Sequence, residues 1–357
     1  MESMVTDEQV NNETMGRFQH GGDIYGMQGV VDFSASLNPL GMPVQVVRAL
    51  KVAAASFEAY PDPFCRDLVA ALAKKEGVDP DCIVATAGAS DAFSRIAAAI
   101  KPHKVLVCSP CYSGYEQALQ SLRPRVVHHT LVASENFDLT ERIIDYIEPE
   151  IDLVVLCSPN NPTGRVVSQD LLVKVLEAAD RWGAKVVMDE CFIDFTTYES
   201  CVSLLDSHPN LIVVKALTKS HAMAGFRLGY CLCSDPNIIR ELTVVGAPWA
   251  VSSPAQVAGV AALDVPRYLE LTREYVAAER ERLEEGLREC GMLVVPSHTN
   301  FILFQSPKPL YEPMLKHGYV IRRCENFRGL DETWFRIAVR TEQQNKGFLK
   351  ALNEVMA

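Results

Sequence analysis

Five short stretches of the 357-residue chain carry polar residues in an order suited to one kind of chemistry. Lys219 follows the apolar run Leu211–Leu217 and Thr218. A lysine at the rim of a buried sheet is desolvated, which lowers its pKa from about 10.4 toward the nucleophilic range. Asp189 closes Lys185-Val-Val-Met-Asp189; a carboxylate at that depth needs a partner, and a protonated pyridine nitrogen is one. Asn161 opens Asn161-Pro-Thr-Gly164 and can donate to a phenolate oxygen. Gly88-Ala89-Ser90 stands between an apolar run and a helical pattern, where backbone N–H groups and a helix N-terminus suit a phosphate. Arg227, eight residues after Lys219, can add a bidentate phosphate contact. Each feature alone is ordinary: a lysine after a strand is usually solvated, an Asp often caps a strand, and N-P-T-G is a turn. Their order is less ordinary. Asn161, Asp189 and Lys219 stand 28 and 30 residues apart, one strand–helix unit each. An aldehyde-binding amine, a pyridinium partner, a phenolate donor and a phosphate cradle describe a pyridoxal 5'-phosphate site.

These residues need strands that end beside one another. The runs Ile83–Thr86, Lys104–Cys108, Asp152–Cys157, Lys185–Met188, Leu211–Ala216 and Leu228–Cys233 are continuously apolar, as strands buried on both faces are. Helical patterns such as Asp91–Ile100 and Gln169–Trp182 lie between them. The alternation predicts an α/β fold with a mainly parallel, doubly wound sheet, whose ligands sit at the carboxyl ends of the strands. After Pro236 the pattern changes. Pro266–Cys290 predicts one long charged helix, with Pro266 in its first turn and Gly291 at its end. Short strands at Leu293–Val295, Asn300–Phe304, Tyr319–Arg322 and Trp334–Val339, with helices at Leu310–Lys316 and Gln343–Val355, predict a smaller α+β region. The expected division is an N-terminal arm over residues 1–45, packed on the small domain and the site, a large cofactor domain over 46–239 and a small domain over 240–357.

Composition excludes other classes. With 34 basic and 45 acidic residues the net charge is −11, which argues against nucleic acid or an anionic membrane as the main partner. At 48% hydrophobic and 22% charged residues the chain is expected to fold as a globule. No apolar run approaches the ~20 residues of a membrane helix, and the polar, acidic opening MESMVTDEQVNNETM lacks the marks of an export signal. Eleven cysteines, several inside apolar runs, suit reduced thiols and a cytoplasmic location. Cys108-Ser-Pro-Cys111 has metal-site spacing, yet no second pair completes it, so it reads as a strand end and a loop, and no metal is expected.

Asn160-Asn-Pro-Thr-Gly164, Asp189-Glu190, Thr218-Lys219 and Gly225-Phe-Arg-Leu-Gly229 resemble the fold-type-I pyridoxal-phosphate enzymes of the aminotransferase superfamily, over about Gln19 to Glu354. The resemblance implies that Lys219 binds the cofactor covalently and then moves protons, that Asp189 pairs the pyridine nitrogen, and that Asn161 bonds the phenolic oxygen. It further implies that Tyr112 stacks on the ring, and that Ala89, Ser90, Thr218 and Arg227 hold the phosphate. Tyr60, in Tyr60-Pro-Asp-Pro63, would reach the phosphate of a neighbouring subunit, which implies a homodimer with shared active sites.

Two subfamilies compete. His20-Gly-Gly22 and Asp32-Phe-Ser-Ala-Ser-Leu-Asn38-Pro-Leu-Gly41 resemble the HGG…DFSANINPLG opening of the threonine-phosphate decarboxylases of cobalamin biosynthesis, where histidinol-phosphate aminotransferases usually read N-E-N-P. Phe192 stands where those aminotransferases commonly carry Tyr, and Phe335-Arg-Ile-Ala-Val-Arg340 ends in a second arginine. Against this, Ala87-Gly-Ala-Ser90 is closer to the aminotransferase G-S-D loop, Arg323 replaces a small residue and Ser220-His221 an aromatic pair. Arg322, Arg336 and Arg340 can grip a doubly anionic amino-acid phosphate through planar forks, with His20 and Asn38 folding over from the N-terminal segment. The expected reaction is decarboxylation of O-phospho-L-threonine to (R)-1-amino-2-propanol phosphate. The alternative is histidinol-phosphate transamination with 2-oxoglutarate; more remote is a non-catalytic, cofactor-binding regulator. Which reaction follows depends on which Cα bond stands perpendicular to the cofactor ring.

Overall fold

The computed structural model describes residues 20–357. The acidic opening read above falls in residues 1–19, outside the described residues. A two-residue strand, β1 (Val31–Asp32), comes first. Seven strands then build the central sheet: β2 (Ile83–Thr86), β3 (Lys104–Ser109), β4 (Arg125–Thr130), β5 (Leu153–Cys157), β6 (Lys185–Asp189), β7 (Leu211–Ala216) and β8 (Gly229–Leu232). Their spatial order is β2-β8-β7-β6-β5-β3-β4, with β8 antiparallel to both its neighbours and the other pairs parallel. Every residue of β3, β5, β7 and β8 is buried, and one apolar cluster covers each face of the sheet. That burial is why these strands read as unbroken apolar runs. The pattern missed β4, an edge strand written Arg-Val-Val-His-His-Thr with only His129 fully buried. An edge strand need bury little, so it carries little apolar signal.

The C-terminal sheet contains β9 (Leu293–Val294), β10 (Phe301–Gln305), β12 (Arg322–Arg323) and β13 (Trp334–Ala338) in the order β12-β13-β10-β9, all antiparallel. Between β10 and β12, β11 (Tyr319–Val320) pairs instead with β1, so the expected strand Tyr319–Arg322 is divided between two sheets. The β1 pairing lays the N-terminal segment on this region, where Phe33 stacks on Phe348 at 4.7 Å. The long helix runs over Tyr268–Glu289. It starts after Pro266 because Arg267 has a left-handed φ of 58°, and Gly291 follows it at φ 79°. Helix Ser253–Leu263 lies beyond residue 240 in the chain, yet its Ala255, Ala258 and Ala262 share the core of the central sheet. Among the described residues no helix is long and apolar enough to cross a membrane.

Candidate active site

The carboxyl ends of β5, β6 and β7 open into one cavity, and the helical turn Leu217–Ser220 puts Lys219 at its edge. Two hydrogen bonds fix that turn from the N-terminal segment: Asn38 N–H donates to the Lys219 carbonyl at 3.1 Å, and Asn38 Nδ2 to the Ser220 carbonyl at 2.7 Å. Burial, and then the Arg336 guanidinium, bring the Lys219 ammonium down to about 8. Near neutral pH it therefore holds a usable fraction of free amine.

Asp189, the last residue of β6, is 5% exposed. Its Oδ1 accepts the Cys191 N–H at 2.9 Å and its Oδ2 the Tyr115 O–H at 2.6 Å. Burial pushes its carboxyl up against the pull of these bonds. A carboxylate on a cavity wall with burial unfavourable to its charge is suited to a cationic ring nitrogen. Asn161 gives its Oδ1 to Arg336, so toward a ligand its amide offers N–H donors.

The phosphate end depends on close backbone approach. Gly88 caps helix Ala89–Ile100 at φ 81°, and a Cβ there would stand 2.9 Å from Arg227 Nη2. Arg227 is aimed by a hydrogen bond from its Nη1 to the Ala224 carbonyl at 3.0 Å. Ala89, Ser90, Thr218 and Arg227 all line the cavity. Tyr112 forms its side wall over Gly114, where a Cβ would stand 2.2 Å from the ring. Tyr115 meets that ring edge-on at 5.5 Å. Amine, buried carboxylate, amide donor, flat aromatic wall and cationic helix N-terminus together fit pyridoxal phosphate.

Of the expected substrate residues, His20, Arg322 and Arg336 line the cavity. Arg336 is 7% exposed; its Nη2 donates to the Ser34 carbonyl at 3.0 Å and its guanidinium lies 5.1 Å from the Phe301 ring. Burial lowers it to about 10, so it remains a cation at neutral pH. Arg322 donates from Nη2 to Asn326 Oδ1 at 2.8 Å. Burial, followed by Arg322, Lys219 and Arg336, lowers the His20 imidazole.

Two of the expected substrate residues lie elsewhere. Asn38 sits beneath the site: its Nδ2 is committed to Ser220 and, at 2.8 Å, to Thr272 Oγ1, so it positions the lysine turn instead of lining the cavity. Arg340 falls past the end of β13, where the alternation that would align it with Arg336 has stopped; its N–H bonds Asn345 Oδ1 at 3.1 Å. Tyr60 is 80% exposed and packs on Trp249 at 4.8 Å, outside the cavity of its own chain. Arg323 lies over Tyr311, and His221 stacks on Tyr268 at 5.3 Å, so neither faces the site. Sequence reasoning missed Ser36, Phe327 and Tyr115. Ser36 lay inside a quoted motif, whereas nothing local marked Tyr115 as the donor to Asp189.

The family model for aminotransferase class I and II matches residues 28–352. The chain is 32% identical to the threonine-phosphate decarboxylase of Salmonella typhimurium, over 92% of this chain and 91% of that one. Among solved structures, the histidinol-phosphate aminotransferase from Clostridium acetobutylicum superposes with a TM-score of 0.85 at 30% identity, covering 91% of this chain and 98% of the other. The L-threonine-O-3-phosphate decarboxylase from Porphyromonas gingivalis gives 0.81 at 27%, with the same coverages. The chain therefore belongs to the class I and II aminotransferase family, whose enzymes depend on pyridoxal phosphate.

Proposed function

We propose that the protein decarboxylates O-phospho-L-threonine to (R)-1-amino-2-propanol phosphate, with Lys219 as the catalytic residue. The observation that carries this reading is the gathering of Arg322, Arg336 and His20 around Lys219, which suits a substrate with two anionic ends. Arg336, held by Asn161 and Ser34, is oriented to grip the carboxylate; Arg322 and His20 serve the phosphate. Phe192, buried on the cavity wall and edge-on to Phe301 at 4.9 Å, supplies no hydroxyl there. Bound pyridoxal phosphate supplies an electron sink for the electrons of the broken Cα bond. Lys219 Nζ, lowered to about 8, delivers the proton that replaces CO2 at Cα. The similarity to a threonine-phosphate decarboxylase over nine-tenths of both chains points the same way.

A histidinol-phosphate aminotransferase is the second reading, favoured by the short Ala87-Gly-Ala-Ser90 loop. In either case we infer a homodimer in which the exposed Tyr60 meets the neighbouring subunit's phosphate site. Two incubations separate the reactions: O-phospho-L-threonine alone, and histidinol phosphate with 2-oxoglutarate. Release of CO2 from the first without glutamate from the second supports decarboxylation; glutamate without CO2 refutes it. Lys219→Ala should abolish either turnover, and surviving turnover would refute the role given to that lysine.

A further inference from the structure

Positions 34, 36 and 38 carry three buried polar side chains, and two of them are satisfied within the protein. Ser34 Oγ donates to Asp32 Oδ1 at 2.6 Å and accepts the Gly22 N–H at 2.8 Å. Asn38 is committed beneath the lysine turn. Ser36 differs: it is 2% exposed, it lines the cavity, and its Oγ has no hydrogen-bond partner among the described residues. A buried hydroxyl without a partner is destabilising, and a fold keeps one most readily where a ligand completes it.

The backbone that carries Ser36 is fixed on both sides. Phe33 N–H bonds the Val320 carbonyl at 2.8 Å, Asn300 Nδ2 bonds the Ser36 carbonyl at 3.0 Å, and Asn38 N–H bonds the Lys219 carbonyl at 3.1 Å. The same segment holds Arg336 through Ser34, and Arg336 Nε is likewise buried without a partner among the described residues. Two uncommitted donors, one of them cationic, thus stand on one stretch of wall beside Lys219. We propose that Ser36 is a substrate-binding residue whose Oγ–H donates to the carboxylate of the amino-acid substrate, next to the Arg336 guanidinium. This rests on the reading that the cavity binds an amino acid through Arg336, and adds the second donor.

The test compares holoenzyme with and without Ser36→Ala on ligands that do or do not carry the carboxylate. Loss of a hydrogen bond to a charged group lowers kcat/KM for O-phospho-L-threonine by about tenfold or more. The inhibition constant of 1-amino-2-propanol phosphate, which lacks the carboxylate, stays within about twofold, and the melting temperature does not fall. An equal change for both ligands, an unchanged kcat/KM or a lowered melting temperature overturns the assignment. If the wild-type protein transaminates with L-glutamate and leaves phosphothreonine untouched, the decarboxylase reading fails by itself. Ser36 is then judged on glutamate, where a KM raised about tenfold by the variant upholds it and an unchanged KM overturns it. A wild-type protein that acts on neither amino acid overturns both.

Discussion

Replacing Lys215 by Met should destabilise the protein more than any change at its exposed charges. Lys215 lies in β7, four residues before Lys219, and is 4% exposed. Its Nζ stands 2.7 Å from Glu76 Oε2 and 3.8 Å from Glu190 Oε2, and both carboxylate side chains are at least 95% buried. Lys75 reaches Glu76 at 3.2 Å and Asp194 at 3.3 Å, and the Tyr230 O–H donates to Glu76 at 2.6 Å. Lys215→Met leaves Glu76 and Glu190 facing each other without the ammonium between them. Breaking a buried pair from one side costs about 3–5 kcal/mol. At roughly 2.1 cal/mol/K per residue the unfolding entropy of 357 residues is about 0.75 kcal/mol/K, so the melting temperature should fall by about 4–7 °C. The sign of the pH dependence follows from Glu76. Burial pushes its carboxyl up, but Lys215, Lys75 and the hydrogen bonds from Lys215 and Tyr230 together bring it below its usual value. In the wild type it therefore contributes stability present above about pH 4.5 and lost as pH falls through the lowered pKa. Without Lys215, only Lys75 and Tyr230 oppose burial, so the Glu76 pKa rises and protonation relieves part of the defect. The gap between variant and wild type should narrow from pH 8 to pH 5. Thermal unfolding of both proteins at pH 5, 6.5 and 8 checks this. A variant melting within about 1 °C of wild type at pH 8, or a gap that does not change with pH, would refute the account.

Two further outcomes follow from the site. Acylation of Lys219 in cofactor-free protein, followed by mass spectrometry against pH, should show a midpoint near 8. Arg336→Met removes the cation that lowers it most and should move that midpoint upward; a downward shift or none contradicts the assigned cause. Gly88→Ala places a side chain at φ 81° and 2.9 Å from Arg227 Nη2, a strain of about 1–3 kcal/mol. It should lower the melting temperature and weaken pyridoxal-phosphate retention, measured by cofactor dissociation. Gly77→Ala, at φ 72° with open space around it, should lower the melting temperature alone.

The cofactor half of the site was legible because Asp189 ends a strand buried on both faces and Lys219 follows another. Leu211–Ala216 and Lys185–Asp189 announce their own burial, so Lys219 and Asp189 could be placed at the sheet's edge from their neighbours in sequence. The substrate half was less legible because it depends on registers between distant segments. Arg336 and Arg340 are spaced to share one face of a strand, but β13 ends at Ala338, and that boundary is set by pairing with β10. Asn38 belongs to a motif that reads as substrate-contacting, yet its amide bonds Ser220 and Thr272, the latter 234 residues away. Tyr115 reaches Asp189 across 74 residues. No local pattern encodes such partners.

Net charge was a poor guide for a related reason. The chain carries −11 overall, yet among the described residues its cavity is lined by Lys219, Arg227, Arg322 and Arg336 against the carboxylate of Asp189. Those cations repel one another, and Arg336 accordingly helps to hold the Lys219 ammonium at about 8. A second group of buried charges lies next to these residues in the chain: Glu190 directly follows Asp189, Lys215 stands four residues before Lys219, and Glu190 and Lys215 meet at 3.8 Å. Asp194, lowered by Lys75, Lys215 and His221 despite burial, ties the segment after β6 to the residue pair after Lys219. The charges buried in this cluster thus link the two strands that carry the pyridinium partner and the amine. Because its members stay outside the cavity, the cluster couples these two strand ends from within the fold.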